Sequence, residues 1–346
     1  MVLLAWGHSH RTSADGELVR WGTDLTRVEG QVGSNVLEVA IVRSGASGTA
    51  GRKRIRVNGL ARRVNSLAGL LRVVVFAPEE MLLIAGSPSL RRAVIDQLAS
   101  SSSPAYADAM TTYLRTLQQR NSLLRAIRED GAPRAELRFW DAAFLDSAAV
   151  IVAGRRRLLD VLAGPLAGAH AEIAPDEAAV ARLTLGYVSN ASAQPGESAR
   201  DALARRLVES AEKEVWNGST LIGPHRDDLV FELAGRDLAS FASRGQQRTA
   251  ILALKLAELD FLTELDGRPP LLLLDDVFSE LDPDRRSHLV RRIAALPQTF
   301  VTTTTLDDLD PELRAIAQAW EVRSGPDGAF LVEAGSPSGS SVELAG

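Results

Sequence analysis

The sequence predicts an α/β fold with an all-helical lobe inserted into it, and three observations carry that prediction. An apolar run, Leu271-Leu272-Leu273-Leu274, ends in Asp275-Asp276, as a strand covered on both faces and closed by two carboxylates would. Helical patterns flank it, Gln246 to Leu265 before and Asp284 to Leu296 after, and a further strand from Thr299 to Thr303 follows. Alternation of this kind around a central apolar strand is the grammar of an α/β sheet. Between two strand-bearing regions lies a long helical interruption, from Ala105 to Ala171.

The elements follow in chain order. Val36 to Arg43 and Arg54 to Asn58 alternate apolar and polar residues, as half-buried strands do, and the Ser44 to Gly48 run between them reads as a hairpin loop. Val73-Val74-Val75-Phe76 is a short buried strand stopped by Pro78, and Pro88 opens a helix that runs to Leu98 and ends in the serines before Pro104. Two long helices come next, Ala105 to Arg128 and Arg134 to Ala171, joined by Asp130-Gly131-Ala132-Pro133. Leu114, Leu117 and Leu124 recur at helical spacing in the first, and Trp140, Phe144, Ile151 and Leu158 in the second, which predicts one buried face on each. Strands return at Leu183, with a helix from Ala199 to Val215 and a strand from Asp228 to Leu233. These patterns assign residues 1–98 and 180–335 to the α/β head, 99–179 to the helical lobe and 336–346 to a frayed tail.

Composition narrows the function. With 346 residues and 45% apolar content the chain can bury a sizeable core, and no apolar run reaches the roughly 20 residues that a membrane helix needs. There are no cysteines, which excludes disulfides and thiolate metal sites and predicts a reducing, cytoplasmic setting. A net charge of -5 argues against a protein that coats nucleic acid generally, while leaving room for a local basic face. Lysine occurs only at Lys53, Lys213 and Lys255, so arginine carries nearly all the positive charge. GC-rich coding and the guanidinium's fit to phosphate are both open explanations.

Two motifs carry chemistry. The strand ending in Asp275-Asp276 and turning into Ser279-Glu280-Leu281-Asp282 has the form of a Walker B segment with the loop that follows it. Ligands of open α/β sheets bind beyond the carboxyl ends of strands, where these acids sit. Asp275 is the candidate for holding Mg²⁺, which keeps several waters and takes one or two carboxylates. Asp276 is the candidate for orienting or deprotonating the attacking water, and its side chain, a methylene shorter than glutamate, predicts slow hydrolysis. One helix upstream, Ser243-Arg244-Gly245-Gln246 resembles the signature of ATPases that sandwich ATP between two heads. Free amides, the helix dipole and a hydroxyl converge at such a helix start and suit a γ-phosphate. That surface serves the nucleotide of the opposite subunit, so the motif predicts an ATP-dependent homodimer with Ser279 and Asp282 at its interface. A single amphipathic helix is expected between the two motifs.

The other half of such a site is a Gly-x-x-x-x-Gly-Lys-Ser/Thr phosphate loop, and no lysine here follows a glycine. The chain opens on Val2-Leu3-Leu4-Ala5-Trp6, which reads as the end of an apolar helix. The simplest expectation is a chain without its first strand, phosphate loop and most of the first helix; a genuinely loop-less protein is the alternative.

At this point the residues match a known family. Gly7 to Thr12, Val75 to Glu79, Gly86-Ser87-Pro88 with Arg91-Arg92, Gln119 to Leu124, Gly223 to Asp228, Ser243 to Arg248 and the Asp-Asp Walker B together resemble the RecF family of bacterial recombination mediators, relatives of SMC-type ATPase heads, over nearly the whole chain. The resemblance implies an ABC/SMC-type ATPase head that binds ATP and Mg²⁺, dimerises on ATP and binds DNA, single-stranded or as gapped duplex. It further implies action with RecR and RecO to help RecA load, and a slow ATPase used as a switch. Thr302 and Thr303 stand where related heads place a switch residue. Arg52, Lys53, Arg54, Arg56, Arg62 and Arg63 form the densest basic stretch and are the candidate DNA contacts, with an ordinary solvated face as the other reading. His225 and Arg226 are either a functional corner or a structural turn. Two rivals remain: a non-enzymatic scaffold that binds DNA or RecR, and a transporter ATPase subunit.

Overall fold

The computed structural model describes residues 1–12, 14–44, 50–278, 281–306, 309–325 and 328–334. In chain order the first elements are α1 (Val2–Trp6), β1 (Leu25–Val32), β2 (Asn35–Ser44), β3 (Ala50–Val57), β4 (Leu60–Arg62) and β5 (Val73–Phe76). Then come α2 (Pro88–Ser102), α3 (Pro104–Asp130), α4 (Arg138–Ile173), α5 (Pro175–Val180), β6 (Leu183–Val188), α6 (Ala199–Asn217), β7 (Asp228–Leu233) and β8 (Arg236–Asp237). The last are α7 (Leu238–Phe241), α8 (Arg244–Asp266), β9 (Leu271–Asp275), α9 (Pro283–Ala294), β10 (Thr299–Thr302), α10 (Pro311–Ile316), β11 (Trp320–Gly325) and β12 (Gly328–Glu333). The chain divides into two compact units: Met1–Val64 with the chain from Leu273 onward, and Asn65–Leu272.

In the first unit β1 to β4 form an antiparallel sheet in sequence order. Its inner face is apolar because Leu37, Val39, Ile41 and Ile55 alternate with outward polar residues, and all four are buried. Helix α1 lies so close to β1 that a Cβ on Gly30 would meet Leu4 Cδ1 at 2.8 Å, so a larger residue there would require the Leu4 side chain to shift. The end of β9 is tied to β10 by the Asp276 amide, which donates to the Thr302 carbonyl at 3.1 Å. Val277, Phe278, Leu289, Val290 and Ile293 supply a buried apolar cluster around α9.

The second unit holds the long helices. α3 packs on α4, and α4 in turn on α6, α8 and β6. The buried stripe of α3 differs from the one the leucine spacing predicts. Leu124 is buried as predicted and Leu117 half-buried, but Leu114 is 56% exposed, and Tyr113, Thr116, Arg120 and Ile127 face inward as well. The reason is polar pairing: the Tyr113 hydroxyl bonds His225 Nδ1 at 2.5 Å, and Arg120 donates to Asp141 and Thr220 and forms an ion pair with Glu214. Helix α2 extends through Ser102 because Ser101 and Ser102 donate their hydroxyls back to the Leu98 and Ala99 carbonyls, and Ser103 then caps α3. Residues 134–137 form a 3-10 turn, and α4 starts only at Arg138.

Helix α8 corrects a second expectation. Every residue from Thr249 to Leu259 is buried, so the helix is enclosed on all sides and not amphipathic. The polar letters that suggested an outer face are paired inside: Lys255 Nζ lies 2.5 Å from Glu80 and 3.3 Å from Glu258. At the start of β9, the Leu271 amide donates to the Arg72 carbonyl beside β5 at 2.9 Å. Within β9, Leu272 and Leu274 are buried while Leu271 and Leu273 are half-buried, so one face of the leucine run is covered more fully than the other.

Candidate nucleotide and metal corner

In the first unit, the carboxyl end of β9 gathers Asp275, Asp276, Thr302 and Arg11. Asp275 Oδ1 accepts a hydrogen bond of 2.6 Å from the Thr302 hydroxyl, and Oδ2 pairs with the Arg11 guanidinium. The Thr302 bond, with Arg11 and its charge in support, holds the Asp275 carboxyl below the usual aspartate range, so it is ionised at neutral pH. Asp276 adopts φ 51, the left-handed region that costs most side chains energy but that a short polar side chain tolerates. That turn directs the chain off the strand within one residue of the sheet's end. Thr303 donates its hydroxyl to the Thr305 carbonyl at 2.8 Å and so closes the turn after β10.

The donor chemistry fits a hard divalent ion. Among the described residues no cluster of three or more His, Cys, Asp or Glu exists, but Mg²⁺ needs only one or two carboxylates when water and phosphate complete its shell. Of the D-loop candidates, Asp282 caps α9, accepting from the Arg285 amide at 3.0 Å, while Ser279 lies outside the described residues. Beside the corner, His8, Ser9, His10, Arg11, Thr12, Asp15 and Lys53 line a cleft of 410 Å³. Sequence reasoning quoted Arg11 only as part of a motif; its spatial pairing with Asp275, 264 residues away, had no local signal.

In the second unit, Ser243 caps α8. Its hydroxyl accepts from the Gln246 amide at 3.2 Å, while the Gln246 side chain accepts from the Ser243 amide at 3.1 Å, a reciprocal capping box. Gly245 gives its carbonyl to the Thr249 hydroxyl at 3.0 Å, and Ser243 and Arg244 are exposed. His225 lies in a turn packed against α3. Its ring is half-buried between Tyr113 and the Thr220 carbonyl, and desolvation there pushes the imidazole down to about 4, so it is neutral. Arg226 likewise donates to Thr220.

The basic stretch does not form one face. Strand alternation puts Arg52, Arg54 and Arg56 on the outer side of the sheet, with Arg56 paired to Glu38. Arg62 lies opposite Ile55 and so shares the other side, as does Lys53, which pairs with Asp15 at 2.8 Å. Arg63 is exposed just past β4. A linear cluster on a strand necessarily splits this way.

The fold and this corner define an α/β head with a helical lobe. No protein-family model matches the chain. It is 37% identical over 329 residues to the DNA replication and repair protein RecF of Heliobacterium modesticaldum, spanning 94% of this chain and 87% of that protein. The corresponding protein of Bacillus subtilis is 36% identical over 341 residues, 94% of this chain and 88% of that one. Two solved structures of the recombination mediator protein RecF of the RecFOR pathway are similar at 31% identity. The ATP form has a TM-score of 0.76, covering 88% of this chain and 81% of that one. The ATPrS form has a TM-score of 0.77, with 89% and 82%. The chain belongs to the RecF family.

Proposed function

We propose that this chain is an ATP-responsive, DNA-binding recombination mediator whose nucleotide-driven dimerisation controls its hold on DNA, acting with RecR and RecO to help RecA load at single-strand gaps. The observation that carries the reading is the β9 corner: an ionised Asp275 at a strand end, bonded by Thr302, in a chain similar along most of its length to a RecF solved with ATP. Asp275 would hold Mg²⁺ through water, and Asp276 would orient the attacking water and take its proton. Ser243, Arg244, Gly245 and Gln246 would present amides and a hydroxyl to the partner head's γ-phosphate. Asp282, with Ser279, would lie at the dimer interface, and Thr302 or Thr303 would sense the γ-phosphate. The nucleotide supplies the transferable phosphoryl group and its charge; the side chains position and polarise.

A second reading, a DNA- or RecR-binding scaffold that does not hydrolyse ATP, is favoured by one feature. None of the three lysines stands in a phosphate loop: Lys53 pairs with Asp15, Lys255 is buried with Glu80 and Glu258, and Lys213 lies on α6.

Light scattering with and without Mg-ATP, with fluorescent-nucleotide binding and gapped-DNA anisotropy in parallel, separates the two. The switch reading expects nucleotide binding, a monomer-to-dimer shift and tighter DNA binding with ATP. Ser243→Arg should abolish the dimer while leaving nucleotide binding intact, because the serine acts on the partner's nucleotide. DNA binding indifferent to nucleotide, with no dimer formed, would leave the scaffold.

A further inference from the structure

We propose that Arg11 is an exchangeable counter-ion that occupies Asp275 until a divalent cation displaces it. The inference rests on Asp275 as the cation ligand and adds a residue with no assigned role. Both carboxylate oxygens of Asp275 are already engaged, Oδ1 by the Thr302 hydroxyl and Oδ2 by the Arg11 guanidinium. A metal ion or metal-bound water needs one of them. The two partners differ in what they can give up. Thr302 is held in β10, whose carbonyl is fixed by the Asp276 amide, so its hydroxyl stays beside the carboxylate. Arg11 projects from the irregular segment after α1, and its side chain is 62% exposed against 24% for Asp275.

An arginine can release a carboxylate into water at small cost, because an exposed ion pair is worth only about 0–1 kcal/mol. It cannot be deprotonated, so the only way to vacate Oδ2 is to move. Guanidinium and divalent cation are therefore mutually exclusive at that oxygen. At rest Arg11 neutralises a carboxylate that would otherwise repel Asp276, its sequence neighbour. When the cation arrives, the positive charge at Asp275 rises from one to two and the guanidinium is released toward solvent. Arg11 thereby sets a threshold against occupation by metal alone, and it keeps the bare corner in working geometry.

The test is Mn²⁺ binding without nucleotide, read from the electron paramagnetic resonance signal of free aqueous Mn²⁺. Arg11→Gln should tighten binding roughly threefold to fivefold, the factor corresponding to release of one exposed ion pair. Arg11→Lys, which retains the charge, should stay near wild type. In the Asp275→Asn background, Arg11→Gln should bring no gain. Equal Mn²⁺ affinity in wild type and Arg11→Gln, no specific binding in Arg11→Gln, or a gain that survives Asp275→Asn would each overturn the proposal. Nucleotide binding is measured separately, so a chain that shows the Mn²⁺ gain but binds no ATP would remove the switch reading and leave the exchange standing.

Discussion

Asp276 combines a candidate catalytic carboxylate with a left-handed backbone, and the two requirements select different substitutions. Asparagine tolerates that conformation as well as aspartate does, whereas a β-branched side chain there is strained by about 1–2 kcal/mol. Asp276→Asn should leave urea stability within about 0.5 kcal/mol of wild type and remove whatever ATP hydrolysis the chain supports. Asp276→Val should lose both. Equal stability of the two variants would show that the turn does not depend on this residue's backbone preference. The carboxyl pair itself was legible in the sequence, because an apolar strand ending in acids is a local pattern. The hold of Thr302 and Arg11 on Asp275 was not: those partners lie 27 and 264 residues away, and no spacing rule links them.

Among the elements, α8 shows what pattern reading can and cannot give. Its start was readable from Ser243 and Gly245, and its length from the unbroken helical run. Its burial was not, since Lys255 and Glu258 look like an outer face until Glu80 is seen against them. Two carboxylates share one ammonium in that enclosed site, and burial pushes the Glu258 carboxyl up to about 7 against the opposing pull of Lys255. The sign follows directly. A carboxyl whose folded value lies above its unfolded value near 4.5 favours the folded state most below that unfolded value, and the advantage is lost as pH rises through about 7. Wild type should therefore lose thermal stability between about pH 5 and pH 8 relative to Glu258→Gln, by a few degrees in Tm, in paired melts across that range. Parallel profiles would mean that Glu258 stays ionised throughout. The same limit explains α3, where Leu124 is buried as its spacing predicts but Leu114 gives way to Tyr113 and Arg120, which turn inward to hydrogen-bond His225 and Thr220.

At the scale of the whole molecule, the proposed DNA contact has to be made by a local basic face on a chain of net charge -5. The four-stranded sheet puts Arg52, Arg54 and Arg56 on one side and Lys53 and Arg62 on the other, so they cannot all meet one duplex face. Changing Arg52, Arg54 and Arg56 to glutamine together should reduce the slope of log K against log salt by about 2–3, one phosphate contact apiece, in anisotropy titrations on gapped duplex. Arg62→Gln with Arg63→Gln should change it less. An unchanged slope in the triple variant would move the interface elsewhere. No described helix is long and apolar enough to cross a membrane.

The reciprocal cap at Ser243 and Gln246 has a bearing on how two such heads would come together. In the isolated chain the serine oxygen already accepts from the Gln246 amide, and the Ser243 amide already donates to the Gln246 side chain. An incoming phosphate that is to use the Ser243 or Gln246 groups must therefore evict an internal partner. Much of the attraction expected at such a helix start is cancelled beforehand, so docking of two copies should be sparing and reversible, fastened only when the ligand offers more negative charge than a glutamine amide can.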